Sequence, residues 1–155
     1  MQVRRLEPSF DRYDALLAMI RAAFSYMDAR IDPPTSAHRL TPATLKEKAL
    51  SEIVFVALDD QRLVGCIFCR PEPQCLYIGK LAVVPDRQGG GIGRALLIAA
   101  EAEARALSLP AMRLETRIEL AENHARFGAM GFEKTAENRH PGFDRTTSIE
   151  MTKRL

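Results

Sequence analysis

Several features that would identify a function directly are scarce in this sequence. No uninterrupted apolar run approaches the roughly 18 residues that a membrane-spanning helix needs. The N-terminal stretch MQVRRLEPSF lacks the apolar core of a signal peptide, so we expect a cytoplasmic protein with no membrane partner. The formal net charge is only +2, with 22 Lys and Arg against 20 Asp and Glu. A balance this even argues against a general nucleic-acid or membrane surface.

Cysteine is also scarce, and its three copies form an odd set. Cys66, Cys69 and Cys75 lie in strand-like segments, and no fourth cysteine completes a zinc site. Cys66 and Cys69 form a CxxC pair, but no histidine or helix start lies close to it. We therefore interpret all three as small core residues, expect no metal, and expect a reducing compartment.

What the sequence does contain is enough apolar material for one domain. At 155 residues and 46% apolar composition, residues 1–155 are expected to form a single domain around one core. Apolar periodicity and turn residues predict strands at 3–7, 53–58, 62–70, 75–84, 111–118, 131–135 and 146–153, and helices at 13–27, 42–50, 91–108 and 122–130. The early strands resemble hairpins and the later ones alternate with helices, so we predict a mixed α/β (α+β) sheet with both faces covered.

The most informative stretch is LAVVPDRQGGGIGRALL, residues 81–97, which joins an apolar strand to a helix. Its glycines exceed what a tight turn needs, and Gly93 already lies within the helix. Such a turn exposes unpaired N–H groups at the positive end of a helix, where a phosphate binds well. A nucleotide P-loop is excluded because Arg94 and Ala95, rather than Lys and Ser or Thr, follow the last glycine. The spacing also fails the dinucleotide fingerprint.

The segment resembles the acetyl-CoA motif of the Gcn5-related N-acetyltransferase (GNAT) family, Q/R-x-x-G-x-G/A. The matching residues are Gln88, Gly89, Gly90, Gly91, Ile92 and Gly93. The family places this motif after a strand that ends LAVxP, which is Leu81–Pro85 here. An asparagine, an aromatic residue and a Gly-Phe pair commonly follow, and here they are Asn123, Phe127, Gly131 and Phe132. The order of elements also agrees, so the resemblance covers essentially the whole chain.

The resemblance implies a GNAT-like fold of about seven mostly antiparallel strands with about four helices on both faces. It implies an acetyl-CoA-dependent N-acetyltransferase in which the backbone of Leu81, Ala82 and Val83 pairs with the pantetheine arm of the cofactor. A strand amide near Leu81 or Val83 would meet the oxyanion of the reaction. The N–H groups from Gln88 to Arg94 would wrap the pyrophosphate, and the Arg87 and Arg94 side chains either add charge or point to solvent. Asn123 would bind the pantetheine arm or cap its own helix.

Phe127 is where the sequence departs from the family pattern. Many members have a tyrosine at this position whose hydroxyl protonates the leaving thiolate of CoA, and phenylalanine has no proton to give. Because a thiol has an unperturbed pKa of about 8.5, we expect the thiolate to leave acceptably without full proton transfer. The substitute acids that the sequence offers are Tyr77, His124, His140 or water.

The acceptor side is less explicit in the sequence. The amine must lose a proton before it attacks the thioester, and Glu72, Tyr77, His38 and Glu115 are chemically suitable bases. Two polar segments, residues 28–40 and 138–145, would suit a small amine that carries a carboxylate or phosphate, although both also read as ordinary surface. A protein or peptide acetyltransferase and a non-catalytic acyl-CoA sensor stay open as alternatives, as does a homodimer.

Overall fold

The computed structural model describes residues 1–155, and a seven-stranded sheet runs through its middle with the order β1-β2-β3-β4-β5-β7-β6. Every neighbouring pair of strands is antiparallel except β4 and β5, which are parallel. The strands are β1 (Gln2–Arg5), β2 (Ile53–Asp59), β3 (Arg62–Pro71), β4 (Leu76–Val83), β5 (Ala111–Arg117), β6 (Glu133–Asn138) and β7 (Ser148–Arg154). The helices are α1 (Tyr13–Phe24), α2 (Pro42–Ser51), α3 (Ile92–Ala106) and α4 (Ala121–Ala129). This architecture confirms the predicted mixed sheet.

The core lies on both faces of the central strands. Helices α1 and α3 both pack against β3 and β4, and they do so from opposite faces of the sheet. Leu16 and Ile20 of α1 and Leu96 of α3 are completely buried. Every residue of β3 from Leu63 to Cys69 is buried as well, because helices cover this strand on both sides. The sheet is therefore a rigid platform on which the neighbouring strand ends and loops are held.

An apolar run such as residues 75–84 is typical of a central strand that is covered on both faces, but the strand covered in this way is β3. Strand β4 sits in the middle of the sheet, yet the run Gly79–Leu81 is only partly buried. The reason is that β4 borders an open cleft along part of its length. The apolar sequence of this strand correctly indicated a central position in the sheet. It did not indicate that residues 79–81 would be left partly exposed.

Two element boundaries differ from the prediction in ways that the backbone explains. Helix α1 ends at Phe24 and continues to Met27 as a short 3-10 turn. Strand β6 begins at Glu133 rather than at Gly131, because Gly131 adopts a left-handed φ of 97° that ends the turn after α4. Thr41 and Pro42 are typical of a helix start, and the Thr41 side chain indeed caps α2 by accepting a hydrogen bond from the Thr44 N–H. No helix has the length and apolarity that crossing a bilayer requires.

Candidate active site

The parallel strands β4 and β5 separate partway along their length. They pair only at Leu76, Tyr77 and Ile78, which face Met112, Arg113 and Leu114. Beyond Ile78, residues 79–83 keep their pairing with β3 but have no strand partner on the β5 side. Unpaired strand backbone is a strong hydrogen-bonding edge. The segment that the resemblance assigned to pantetheine binding, Leu81–Val83, therefore lies along an open edge.

A β-bulge shapes the same segment. Cys66 pairs with Ala82 and Phe68 with Gly79, so β4 has one residue more than β3 between the two pairs. Lys80 lies in this bulge with a φ of 40°, a left-handed conformation that costs an ordinary residue roughly 1–2 kcal/mol. Its ammonium group donates a 2.6 Å hydrogen bond to Ser36 Oγ. A strained backbone at this point projects a lysine towards the segment between α1 and α2.

The glycine-rich turn follows directly after the end of β4. Gly91 has a left-handed φ of 87°, caps the N-terminus of α3, and has open space where a side chain would stand. The side chain of Gln88 turns back and donates a 3.1 Å hydrogen bond to the carbonyl of Val83. The first N–H groups of α3 therefore face open space beside the free edge of β4, which is a suitable environment for a phosphate.

One continuous cleft with a volume of about 1390 Å³ contains both features. Its cofactor half is lined by the unpaired part of β4, the glycine turn and the inner face of α4. Its acceptor half is lined by the segment between α1 and α2, by the β5 residues past the separation, and by His140. The predicted cofactor residues Leu81, Ala82, Val83, Arg87, Gln88, Gly89, Gly91, Ile92, Gly93, Arg94, Asn123 and Phe127 all line this cleft. Gly90 belongs to the same turn but does not line it.

The arginines near the glycine turn differ in whether their side chains are already engaged in ion pairs. Arg87 forms a 2.5 Å ion pair with Asp59 and lies 3.9 Å from Asp86, so its charge is largely engaged. Arg94 and Arg126 line the cleft and form no ion pair or side-chain hydrogen bond. Sequence reasoning did not select Arg126, whose position one turn beyond Glu122 on α4 is ordinary for a surface arginine. Arg94 and Arg126 are the side chains that can offer charge to a phosphate.

Asn123 and Phe127 lie one turn apart on α4 and both line the cleft. The side chain of Asn123 makes no capping hydrogen bond, because the helix is capped by Leu120 without side-chain help. The helix-cap alternative for Asn123 is therefore wrong, and its amide is free to face a ligand. Phe127 packs edge-on against Phe132 with their ring centroids 6.0 Å apart. This contact holds the phenyl ring at the wall of the cleft.

Thr116 is a cleft residue that sequence reasoning missed. It lies two positions beyond Leu114, the last β5 residue that pairs with β4, is 7% exposed, and lines the cleft. Its hydroxyl oxygen is buried and has no hydrogen-bond partner in the protein. Because buried hydroxyl groups are nearly always paired, this one has hydrogen-bonding capacity left over for a molecule in the cleft. The only sequence signal is a threonine at an inward position of the alternating strand MRLETRI.

Three of the acid and base candidates meet in the acceptor half. Tyr77, Glu115 and His140 all line the cleft, and the charge of Glu115 acts on both of the others. Burial, with help from Glu115, raises the pKa of Tyr77 above its ordinary value, so the phenol stays protonated and cannot act as a phenolate base. Burial and the charge of Arg117 lower the pKa of His140 and keep its imidazole neutral. Glu115 is the carboxylate of this group and accepts a 3.2 Å hydrogen bond from Asn138.

Other candidates are engaged elsewhere. Glu72 lies outside the cleft, where burial opposes its ionisation but hydrogen bonds from Cys75, Arg113 and Arg70 lower its pKa overall. His124 also lies outside the cleft and donates a 2.9 Å hydrogen bond from Nε2 to the carbonyl of Arg117. His38 lines the cleft and contacts Asp28 at 2.6 Å.

The two polar segments proposed for the acceptor lie side by side. Arg145 donates a 2.7 Å hydrogen bond to the carbonyl of Asp32 and so ties residues 138–145 to residues 28–40. Arg117 of β5 donates hydrogen bonds to the carbonyls of Pro33 and Pro34 at 2.6 and 3.1 Å. These contacts hold the segment between α1 and α2 over the end of β5. Arg139 is not part of the cleft lining.

Comparison with known proteins places this arrangement in a family. The model of the acetyltransferase (GNAT) family matches residues 15–132, which is more than half of the chain. The chain belongs to the GNAT acetyltransferase family. No curated protein sequence shows a significant match.

Solved structures share the fold at low sequence identity. The PaiA N-acetyltransferase from Thermoplasma acidophilum, crystallised with coenzyme A, superposes with a TM-score of 0.84 at 16% identity and covers 100% of both chains. A GNAT acetyltransferase from Elizabethkingia anophelis with acetyl-CoA bound has a TM-score of 0.69 at 18% identity, covering 99% of this chain and 97% of that one. The ribosomal-protein-S18-alanine N-acetyltransferase from Escherichia coli has a TM-score of 0.69 at 20% identity, covering 99% and 92%.

Proposed function

We propose that residues 1–155 form one acetyltransferase domain that moves an acetyl group from acetyl-CoA to a primary amine of a small molecule. The observation that carries the proposal is the continuity of two half-sites in one cleft. The free edge of β4 at residues 79–83 leads directly into the glycine turn at the start of α3. One offers strand backbone to an extended amide-bearing arm, and the other offers N–H groups to a diphosphate. Two structural neighbours are crystallised with coenzyme A or acetyl-CoA.

The described residues fit the acetyl-CoA molecule in chemistry as well as in shape. The backbone of Leu81, Ala82 and Val83 would pair with the pantetheine amides, and the buried, unpartnered hydroxyl of Thr116 offers a further hydrogen bond. The free amide of Asn123 faces the same half of the cleft. The N–H groups of the turn, Gln88 to Arg94, with the side chains of Arg94 and Arg126, would hold the phosphates.

Bound acetyl-CoA supplies an acetyl group on a thioester, and the protein's part is to position the amine, remove its proton and stabilise negative charge. A backbone N–H of the open strand, at Leu81 or Val83, would donate to the thioester oxygen as it becomes an oxyanion. Glu115 is the carboxylate in the acceptor half that can take the proton of the amine, directly or through water. Tyr77, with its raised pKa, holds its proton and serves as a donor beside it.

The leaving thiolate does not depend on residue 127 for a proton. Phe127 packs against Phe132 and offers only an apolar wall. Of the substitute acids that the sequence offered, Tyr77 and the neutral His140 line the cleft, and both lie in its acceptor half. Because the thiol pKa is about 8.5, departure of the thiolate needs little acid assistance, and an aromatic wall is enough to place the thioester.

The test measures release of CoA thiol from acetyl-CoA with a panel of amines, together with the mass of the acetylated product. We expect thiol release that requires both the protein and an amine. Tight binding of CoA in calorimetry with no release for any small amine would contradict small-molecule transfer. In that case peptides with free N-termini test the protein or peptide alternative, since one structural neighbour is named for a ribosomal protein. No release with peptides either would favour the acyl-CoA sensor.

A further inference from the structure

The acceptor half of the cleft contains an excess of positive charge that the acetyl transfer itself does not need. The whole cleft is lined by eight Lys and Arg side chains, namely Arg39, Lys48, Arg70, Lys80, Arg87, Arg94, Arg117 and Arg126. Only two acidic residues line it, Glu115 and Glu122, and Glu122 is paired with Arg30. Three of the arginines, Arg87, Arg94 and Arg126, belong to the half that faces the phosphates. The remaining cations lie in the acceptor half, where Arg70 is paired with Glu72 and Lys48 with Glu52, and the unpaired charges are those of Arg39, Lys80 and Arg117.

Lys80 stands at the centre of the acceptor-side cations without a counter-charge of its own. Its one hydrogen-bond partner is the neutral hydroxyl of Ser36 at 2.6 Å. Burial and the charges of Lys48, Arg117 and Arg39 lower its pKa, and Glu52 opposes them only weakly. Glu52 is already engaged with Lys48 at 2.6 Å. A partly buried cation among cations is unfavourable unless an anion completes the group.

The neighbours of Lys80 differ in what they can offer an anion. Arg39 forms no ion pair or side-chain hydrogen bond, so its fork of donors is free. Lys48 and Arg117 are held by Glu52 and by the carbonyls of Pro33 and Pro34, and they add positive potential. A flexible point charge, a free guanidinium and a hydroxyl form a suitable set for an oxyanion.

We infer that the acceptor of this enzyme is an amine that also carries a carboxylate or phosphate, and that Lys80, Arg39 and Ser36 bind that acidic group. The inference rests on the proposed acetyl transfer to a small amine. The positive charges around Lys80 act on both functional groups of such a molecule, its acidic group and its amine. The acidic group compensates Lys80, and the excess of positive charge disfavours the ammonium form, so the reacting amine loses its proton more readily.

The strained backbone of Lys80 fits this role. The bulge places Lys80 directly before Leu81, at the start of the strand segment proposed to hold the thioester. A lysine at this position ties the acidic group of the acceptor to the same strand that holds the acetyl donor. The distance between amine and thioester is then set within one element of the sheet.

The experiment compares amines that differ only in the acidic group. A series of amino acids with increasing spacing between amine and carboxylate is tested beside the matching alkylamines, and O-phosphoethanolamine is tested beside ethanolamine. Thiol release gives kcat and KM for each. We expect the acid-bearing member of at least one pair to be preferred by about tenfold or more, as a charge-assisted hydrogen bond implies. The two arms show whether the carboxylate or the phosphate is the ligand.

Two variants and one control locate the effect. Lys80→Met and Arg39→Gln should each raise KM for the acid-bearing amine by about 10- to 100-fold, far more than they change KM for acid-free amines, and leave KM for acetyl-CoA near its original value. Lys80→Arg should restore part of the loss, because the charge returns. Lys46→Met removes an exposed charge from α2 outside the cleft, whereas Lys80 is half-buried, and this control should change neither KM.

The outcomes separate this inference from the proposed function. Preference for acid-free amines, or an equal rise of KM for both members of a pair in Lys80→Met, would overturn the acidic-group site while leaving acetyl transfer intact. Acetylation of Lys80 itself, seen by peptide mass after incubation with acetyl-CoA, would also overturn it. If no amine is turned over, the proposed acetyl transfer is wrong. Calorimetry on the CoA-loaded protein then tests the acidic-group site separately, by measuring whether amines bind. Binding of an acid-bearing amine that Lys80→Met abolishes supports it, and no binding refutes it.

Discussion

Replacing Thr116 by valine should stabilise the protein and weaken its binding of CoA at the same time. The hydroxyl oxygen of Thr116 is buried and unpartnered, and the residue is only 7% exposed. Valine has nearly the same shape and replaces that hydroxyl with a methyl group. A buried, unsatisfied polar group costs about 1–3 kcal/mol, and the valine variant should recover most of that free energy of unfolding.

The expected shift in melting temperature follows from the size of the chain. Unfolding entropy is about 2.1 cal/mol/K per residue, so for 155 residues a gain of about 1–3 kcal/mol raises Tm by about 3–9 °C. If the hydroxyl instead finds its partner in bound CoA, losing one neutral hydrogen bond should weaken binding by about 2- to 13-fold. Thermal unfolding without ligand and calorimetry with CoA measure the two effects. Thr116→Ser keeps the hydroxyl and is the matched control for both.

Two results would refute this reasoning. A lower Tm for Thr116→Val in the absence of ligand would mean that the hydroxyl has a stabilising partner within the protein. A higher Tm with unchanged CoA affinity would mean that the hydroxyl is simply buried and does not face the ligand. The combination of higher Tm and weaker binding is expected only if the cost of the unpaired group is offset when CoA binds.

Three further changes test other parts of the site. Gly91→Glu should abolish CoA binding in calorimetry because a carboxylate would enter the phosphate turn, whereas Gly142→Glu, at a similar φ of 86° in open space, should not; equal losses would contradict the assignment. Phe127→Tyr should leave CoA affinity near its original value and turnover equal or higher, and a large fall in kcat would show that the apolar ring is needed. Lys80→Met should raise Tm near pH 7, and this gain should shrink as the pH rises towards 10.5. The lowered pKa of Lys80 means that the unfolded state binds more protons in that window, so wild-type stability rises there. A gain in Tm that does not change with pH would contradict this reasoning.

Much of the cofactor half of the site could be predicted from the chain alone, because its chemistry is backbone chemistry. A turn made of Gly89, Gly90 and Gly91 after a strand has few uses other than exposing N–H groups, and local sequence determines that geometry. The same holds for the cap of α2 at Thr41 and for the hairpin of β2 and β3. These features depend on residues within a few positions of one another.

The acceptor half could be predicted only in part, because its residues come from three distant segments. Ser36 and Arg39 precede α2, Lys80 lies in the bulge of β4, and Arg117 ends β5. Their common position depends on the separation of β4 from β5, which is a property of the sheet and leaves no local mark. Lys80 was visible in the sequence only as the one charged residue of an apolar strand.

The sequence by itself determined the order of elements, the positions of the strands and the glycine turn, since periodicity, β-branched residues and glycines act over short distances. Tertiary structure decided which side chains share the cleft. In the folded chain Asn123 does not cap its helix, and Arg87 forms an ion pair with Asp59. The hydroxyl of Thr116 has no hydrogen-bond partner in the protein. Burial and charge compensation depend on neighbours that are far apart in the chain, and only the folded sheet brings those neighbours together.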